Sequence, residues 1–323
     1  MDTLLPADVG APPSWRFACP ICRQALALGS RDAHCVRCGR VYARSSGIWR
    51  FLPDERLARY ERFLREYRIV REDQGWGRPD AAYFHALPQA APDDPQRDIW
   101  RRRDESYRLL CAKIIDPLAA RRGRPLRILD LGAGNCWLAY RLTERGHQVA
   151  AIDLSVDPTD GLGAHVWYRP ELERAGCASF WPIQAEYDRL PLPDCSADVA
   201  LFNASLHYST DCSVTLREAL RVLSPEGIVV IMDTPVYRRA GSGEQMVRER
   251  EMAFERTYGF RSNSVPSEHF LTTNRLAGLA HGLGLQWQMH ARAGGVSRLK
   301  GQLRRWRGLR ELATMPLIVG RRA

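Results

Sequence analysis

The run RILDLGAGNCWLAYRL, Arg127 to Leu142, decides the fold. An apolar strand ends at Asp130, Gly132 and Gly134 turn the backbone tightly, and a helix begins near Trp137. Glycines at such a turn permit positive φ and let a ligand lie against bare backbone. Dinucleotide-binding turns use a related G-x-G, but their third glycine has no clear equivalent here. An acid two residues before the first glycine would repel a pyrophosphate. It suits a cofactor that carries an ammonium or a sulfonium.

Outward from this turn, short apolar runs ending in a polar or acidic residue recur at Ile128–Leu131, Val149–Asp153, Val199–Asn203 and Gly227–Asp233. Helical patterns fall between them, at Trp137–Arg145 and Ser213–Leu223. Strands alternating with helices predict a Rossmann-like, doubly wound α/β sheet with ligands at the carboxyl ends of its strands. Two late strands, Leu285–His290 and Pro316–Gly320, predict an antiparallel hairpin on the sheet edge.

Five motifs then arrive in order: DLGAGN at Asp130–Asn135, IDLS at Ile152–Ser155, EYDRLPLPD at Glu186–Asp194, LFNASLHY at Leu201–Tyr208 and RVLSPEGIVVIMD at Arg221–Asp233. Over about residues 125–235 the chain resembles the class I S-adenosylmethionine-dependent methyltransferases, in the subgroup that includes quinone methyltransferases. The resemblance implies that Asp130, Gly132, Ala133 and Gly134 surround the amino acid part of S-adenosylmethionine. Asp153, followed by Leu154, would accept both ribose hydroxyls; Glu186 would accept the adenine amine, and Tyr187 would pack on the adenine face. Asn203 would lie beside the reactive methyl. Cys136 replaces the third small residue of the glycine turn and reads as a buried filler. The stretch VDPTDGLGAHVW after Ser155 opposes the helix usual there, so Asp157 or Asp160 enters as a further contributor on the ribose side.

Methyl transfer from a sulfonium needs alignment, exclusion of water and management of one proton. His207 is the general-base candidate because a free imidazole titrates near neutral pH. A histidine that fixes its loop by backbone hydrogen bonds is the competing reading. Tyr208 would orient the substrate, and Asp233 is a third candidate.

Upstream, Cys19-Pro-Ile-Cys22 and Cys35-Val-Arg-Cys38 form a CxxC pair. Two such turns facing each other present four sulfurs in a tetrahedron, the closed geometry of structural zinc. Iron in a rubredoxin-like site and a redox dithiol are the other readings. His34 reads as a bystander beside a complete ligand set. Seven arginines lie between Ser14 and Leu52 against Asp32 alone, so the ribbon stays basic even with four thiolates and a divalent zinc. A CxxC ribbon ahead of such a domain is similar to the arrangement in bacterial rRNA guanine-N1 methyltransferases. FNASLHY looks more like members that act on small molecules or lipids. The expected acceptor is therefore a small or lipid-like molecule, with rRNA as the alternative.

The division expected is a flexible tail over 1–13, a zinc ribbon over 14–52, a helical linker and lid over 53–124 and the S-adenosylmethionine-binding domain over 125–323. Within the lid, Leu57, Tyr60, Phe63, Leu64 and Tyr67 recur at helical spacing. A second helix is predicted over Ile99–Ala119, and Tyr83, Phe84, Trp100 and Tyr107 are candidates to cover the substrate. The segment Ala291–Arg310 is rich in arginine and reads as a solvated helix, a phosphate-binding patch or a membrane-surface contact.

The 323 residues are 45% hydrophobic and 26% charged, which excludes wholesale disorder. Lys+Arg number 47 against 37 Asp+Glu, for a net charge of +10. All but Lys113 and Lys300 of those cations are arginine, which fits either a codon preference or a polyanionic partner. No apolar run reaches a membrane span, and the first residues lack the pattern of a secretory signal. A reducing cytoplasm is expected, where regularly spaced cysteines bind metal more often than they pair.

Overall fold

The computed structural model describes residues 15–291 and 310–323. Of the basic segment expected at Ala291–Arg310, all but the two end residues lies outside the described residues.

The chain opens with four short strands, β1 (Ala27–Leu28), β2 (Asp32–His34), β3 (Val41–Ser45) and β4 (Ile48–Arg50). Helices follow: α1 (Asp54–Leu57), α2 (Glu61–Asp73), α3 (Ala81–Ala86), α4 (Arg97–Leu110) and α5 (Asp116–Arg122). A π-helical turn at Cys111–Ile115 joins α4 to α5, and Gly123 in the left-handed region ends α5. Then strands and helices alternate: β5 (Arg127–Leu131), α6 (Trp137–Glu144), β6 (Gln148–Asp153), α7 (His165–Arg174), β7 (Trp181–Gln184), β8 (Ala197–Asn203), α8 (Cys212–Val222) and β9 (Leu223–Met232). The chain closes with β10 (Val236–Tyr237), α9 (Ala240–Tyr258), β11 (Leu271–Thr272), α10 (Thr273–Leu283), β12 (Leu285–His290) and β13 (Leu317–Arg322).

Eleven strands form one sheet in the order β1-β2-β3-β4-β7-β6-β5-β8-β9-β13-β12. The strands β7, β6, β5, β8 and β9 are parallel, and β13 runs antiparallel to both β9 and β12. The doubly wound sheet with its antiparallel hairpin is therefore as expected, with the last strand inserted inside β12. The central strands are buried along most of their length because both faces are covered. Leu129 and Leu131 face one core and Ile128 the other, the period-2 alternation of a strand.

The cysteine-bearing ribbon is joined to the main sheet. Strand β4 pairs in parallel with β7 through Trp49–Ile183 and Arg50–Gln184. Phe17 packs edge-on against Trp49, Phe51 and Trp181, so ribbon and sheet share one apolar core. Among the described residues no helix is long and apolar enough to cross a membrane.

Candidate active site

Strand β5 has β6 on one side and β8 on the other. The winding of the sheet reverses there, and a crevice opens beyond the carboxyl ends of the strands at such a point. A cleft of about 880 Å³, its open mouth included, occupies this place. The tips of β5, β6 and β8 floor it, and α2 and α4 roof it with Phe63, Leu64, Tyr67, Arg71 and Arg103.

Of the residues expected around a cofactor, Gly132, Ala133, Gly134, Asp153, Leu154, Tyr187 and Asn203 line this cleft, as does Tyr208. Gly132 has φ +80°, and a Cβ there would lie 2.3 Å from the Cβ of Ser205, so the loops after β5 and β8 meet only across a bare glycine. Gly134 has φ +53° with open space where a Cβ would stand. Its N–H donates to Asp153 Oδ2 at 2.8 Å, and the Ser155 N–H donates to Oδ1 at 2.8 Å. The carboxylate at the tip of β6 is thus fixed in orientation, while its remaining lone pairs stay available to hydroxyl donors. Burial raises its pKa, and the backbone N–H groups oppose that shift. Asn203 Oδ1 is buried with no hydrogen-bond partner among the described residues.

Four expected residues stand behind the walls. Asp130 is fully buried on the α6 side of β5, where the Ala139 N–H lies near its carboxylate without completing a full hydrogen bond. Burial, with the nearby charge of Asp153, pushes its pKa up to about 7. Glu186 is taken up by the ribbon-to-lid connection: Arg56 donates to both of its oxygens and the Tyr60 hydroxyl donates to one. His207 is buried with its ring against Tyr208, its Nδ1 3.4 Å from Thr234 Oγ1. Burial, reinforced by the charges of Arg250 and His269, pulls its pKa down to about 3, so the ring is neutral at ordinary pH. In the turn Leu206–Tyr208 successive side chains diverge, which sends Tyr208 to the cleft and His207 behind it. Asp233 accepts from the Ser106 hydroxyl at 2.8 Å and holds α4 against the tip of β9.

The lid also differs from expectation. Tyr83, Phe84, Trp100 and Tyr107 pack against the body of the protein, with Trp100 edge-on to Trp76 and Trp137. The cleft is covered instead by Phe63, Leu64, Tyr67 and Arg71 of α2 and by Arg103 of α4. Arg71 forms a bidentate ion pair with Asp160 in the loop after β6. Asp160, expected on the ribose side, is committed to Arg71, and neither Arg71 nor Arg103 is among the expected residues: arginines on an amphipathic helix carry no signal that separates a cleft from solvent. The predicted interruption after Ser155 is present. A turn at Asp157–Asp160 and a 3₁₀ turn at Leu162–Ala164 delay α7 to His165. Cys136 is a fully buried filler.

The thiols of Cys19, Cys22, Cys35 and Cys38 lie within 4.8 Å of one another. Each CxxC is a matching turn: the Arg23 N–H donates to Cys19 O, the Gly39 N–H to Cys35 O, and both donors have positive φ. Four converging thiols in two such knuckles are the donor set of a closed tetrahedral metal site. His34 is turned away to Asp32 at 3.0 Å.

Comparison with known proteins fits this layout. Residues 129–231 match the family described as "Methyltransferase domain". The domain runs from β5 into β9 and supplies the whole floor of the cleft. The chain is 32% identical over 111 residues to a malonyl-[acyl-carrier protein] O-methyltransferase of Erwinia pyrifoliae, an alignment spanning 34% of this chain and 38% of that protein. It is 31% identical over 117 residues to an arsenite methyltransferase of Aquipseudomonas alcaligenes, spanning 35% of this chain and 34% of the relative. The chain thus spans well under half the length of these curated relatives. Among solved structures, a 1,6-didemethyltoxoflavin-N1-methyltransferase of Burkholderia thailandensis aligns at TM-score 0.45 and 19% identity, over 91% of this chain and 100% of that one.

Proposed function

We propose that this chain transfers a methyl group from S-adenosylmethionine to a small-molecule acceptor. The observation that carries the reading is Asp153, oriented by two backbone N–H groups on the floor of the cleft beside the bare backbone of Gly134. A fixed carboxylate with spare lone pairs suits paired ribose hydroxyls. The open space over Gly134 suits the amino acid end of the donor, and the unanswered Asn203 oxygen suits the region of its cationic sulfur. Relatives named for malonyl-[acyl-carrier protein] and for arsenite each align with about a third of this chain, which fits a common donor part and different acceptor parts.

In this reading Gly132, Ala133, Gly134, Asp153 and Leu154 hold the donor, Tyr187 packs on its base and Asn203 stands near its sulfur. Bound there, S-adenosylmethionine supplies a methyl group already activated by a cationic sulfur. The roof of Phe63, Leu64 and Tyr67 excludes water, and Tyr208 orients the acceptor. His207 serves by holding Tyr208, and Glu186 by clamping the start of the lid. The four cysteines hold a structural zinc ion that, with no open coordination position, takes no part in the chemistry.

Calorimetry with S-adenosylhomocysteine tests the proposal. Wild-type protein binds it, and Asp153→Ala weakens binding by about 2 kcal/mol, roughly thirtyfold, for the lost charged acceptor. Folded wild-type protein that shows no binding would overturn the reading.

A further inference from the structure

We infer that the acceptor is an anionic small molecule whose charged group rests on Arg250, in a second cavity adjoining the first. The identity of the occupant as an acceptor rests on the methyl-transfer reading above. This second cavity, of about 600 Å³, lies between α2, α9 and the loop at 260–264. Phe63, Tyr67, Arg71 and Tyr208 line both cavities, so a molecule in the second reaches the donor's cleft past Tyr208.

Several polar groups of this cavity are answered within the protein. Arg71 is committed to Asp160, and Glu66 accepts from Arg62 at 2.8 Å. Ser262 donates to Glu251; Asn263 donates to Ser267 and accepts from the Val265 N–H. Arg250 contacts His269 Nδ1 at 2.9 Å through Nη2, while its Nε is buried without a hydrogen-bond partner. Among the described residues no carboxylate pairs with it. Its charge, after the larger effect of burial, also depresses the pKa of both His207 and His269.

A partly exposed guanidinium without a carboxylate partner is a donor suited to a bidentate carboxylate or phosphate. A neutral occupant would forgo that charged contact. Phe63, Phe254 and Phe260 line the rest of the cavity, which suits an apolar or aromatic body behind the anionic group. Arg103 in the first cavity stacks on Trp76 and Trp100 and likewise has no ion pair among the described residues, so the positive field continues toward the donor.

The experiment titrates full-length protein with benzoate, phenyl phosphate and benzyl alcohol, with and without saturating S-adenosylhomocysteine, and reads affinities by NMR. Benzoate or phenyl phosphate should bind wild-type protein about tenfold or more tighter than benzyl alcohol, the worth of one charged hydrogen-bonded pair. Whichever of the two binds more tightly assigns the anion as carboxylate or phosphate. Arg250→Met, which keeps the aliphatic stem, should erase the preference, and Arg250→Lys should restore part of it. Equal affinity for benzyl alcohol in wild-type protein overturns the inference without recourse to any variant, as does a preference that survives Arg250→Met in folded protein. Loss of S-adenosylhomocysteine binding alone sinks the methyl-transfer reading, because the anion preference is also read in its absence.

Discussion

Arg71 on the last turn of α2 holds Asp160 through two parallel hydrogen bonds, and the same guanidinium lies 3.6 Å from the centre of the Trp76 ring. One arginine thus ties the roof of the cleft to the loop after β6. Both partners are largely removed from water, at 15% and 9% side-chain exposure, so the pair belongs with buried rather than surface ion pairs. Removing one partner strands the other charge. Asp160→Asn should therefore cost about 3 kcal/mol in denaturant unfolding. A loss below about 1 kcal/mol would place the pair with weak surface contacts.

Asp130 makes stability depend on pH in the direction opposite to a salt-bridged carboxylate. Its folded pKa, about 7, lies above the unfolded value, so the folded state binds the proton more tightly. The group costs stability that grows from about pH 4 to pH 7 and stays constant above that. Asp130→Asn, a neutral stand-in, should be more stable than wild type at pH 8, by on the order of 4 kcal/mol, and the gain should shrink to nothing near pH 4. A gain independent of pH would mean that the carboxyl is not neutralised by burial.

His207 gives the reverse case. Its folded pKa of about 3 lies below the unfolded value, so burial of the neutral ring supplies stability that is present above about pH 6.5 and lost as pH falls toward 3. His207→Gln should flatten the loss of stability across that interval. Turnover of wild-type protein should show no imidazole inflection between about pH 5.5 and 8.5. An inflection that vanishes in His207→Gln would return the residue to the role of general base.

The ribbon contributes a strand to the main sheet, so metal loss should be felt beyond the ribbon. Elemental analysis should find one zinc per chain. Chelation, or Cys22→Ser, should lower the unfolding midpoint of the whole protein and disturb Trp49 and Trp181 fluorescence, because Phe17 packs against both rings. Retention of the full midpoint after chelation would separate the metal from the stability of the sheet.

Much of the fold was legible because its signals are local. Leu285–His290 was placed to the residue, and the strand and helix around DLGAGN to within one, since an apolar run bounded by glycines carries its own start and stop. Strand β7, WPIQ, was missed: four residues with an internal proline give no run to detect. It is stabilised as a strand by neighbours on both sides, β6 and β4, the second of which comes from 134 residues earlier in the chain. Helix α9 was missed for another reason. Only Ser242 and Gly243 are buried along its 19 residues, so it has no apolar face to reveal a period.

What the sequence determined alone was the set of residues whose roles are written in backbone and spacing. These are the glycines that bare the tip of β5, the acid that ends β6, and two CxxC turns whose geometry follows from their own short loops. Only the tertiary structure decided which charged side chains share a space. Glu186 and Asp153 both lie at the carboxyl ends of strands, yet the first is captured by Arg56 and Tyr60 while the second faces the cleft. His207 and Tyr208 are adjacent in the chain, yet a single turn sends one into the core and the other to the cleft. A charge or a hydrogen bond acts over a few ångströms in any direction, and the partners that answer it come from distant parts of the chain, where spacing along the sequence carries no record of the distance.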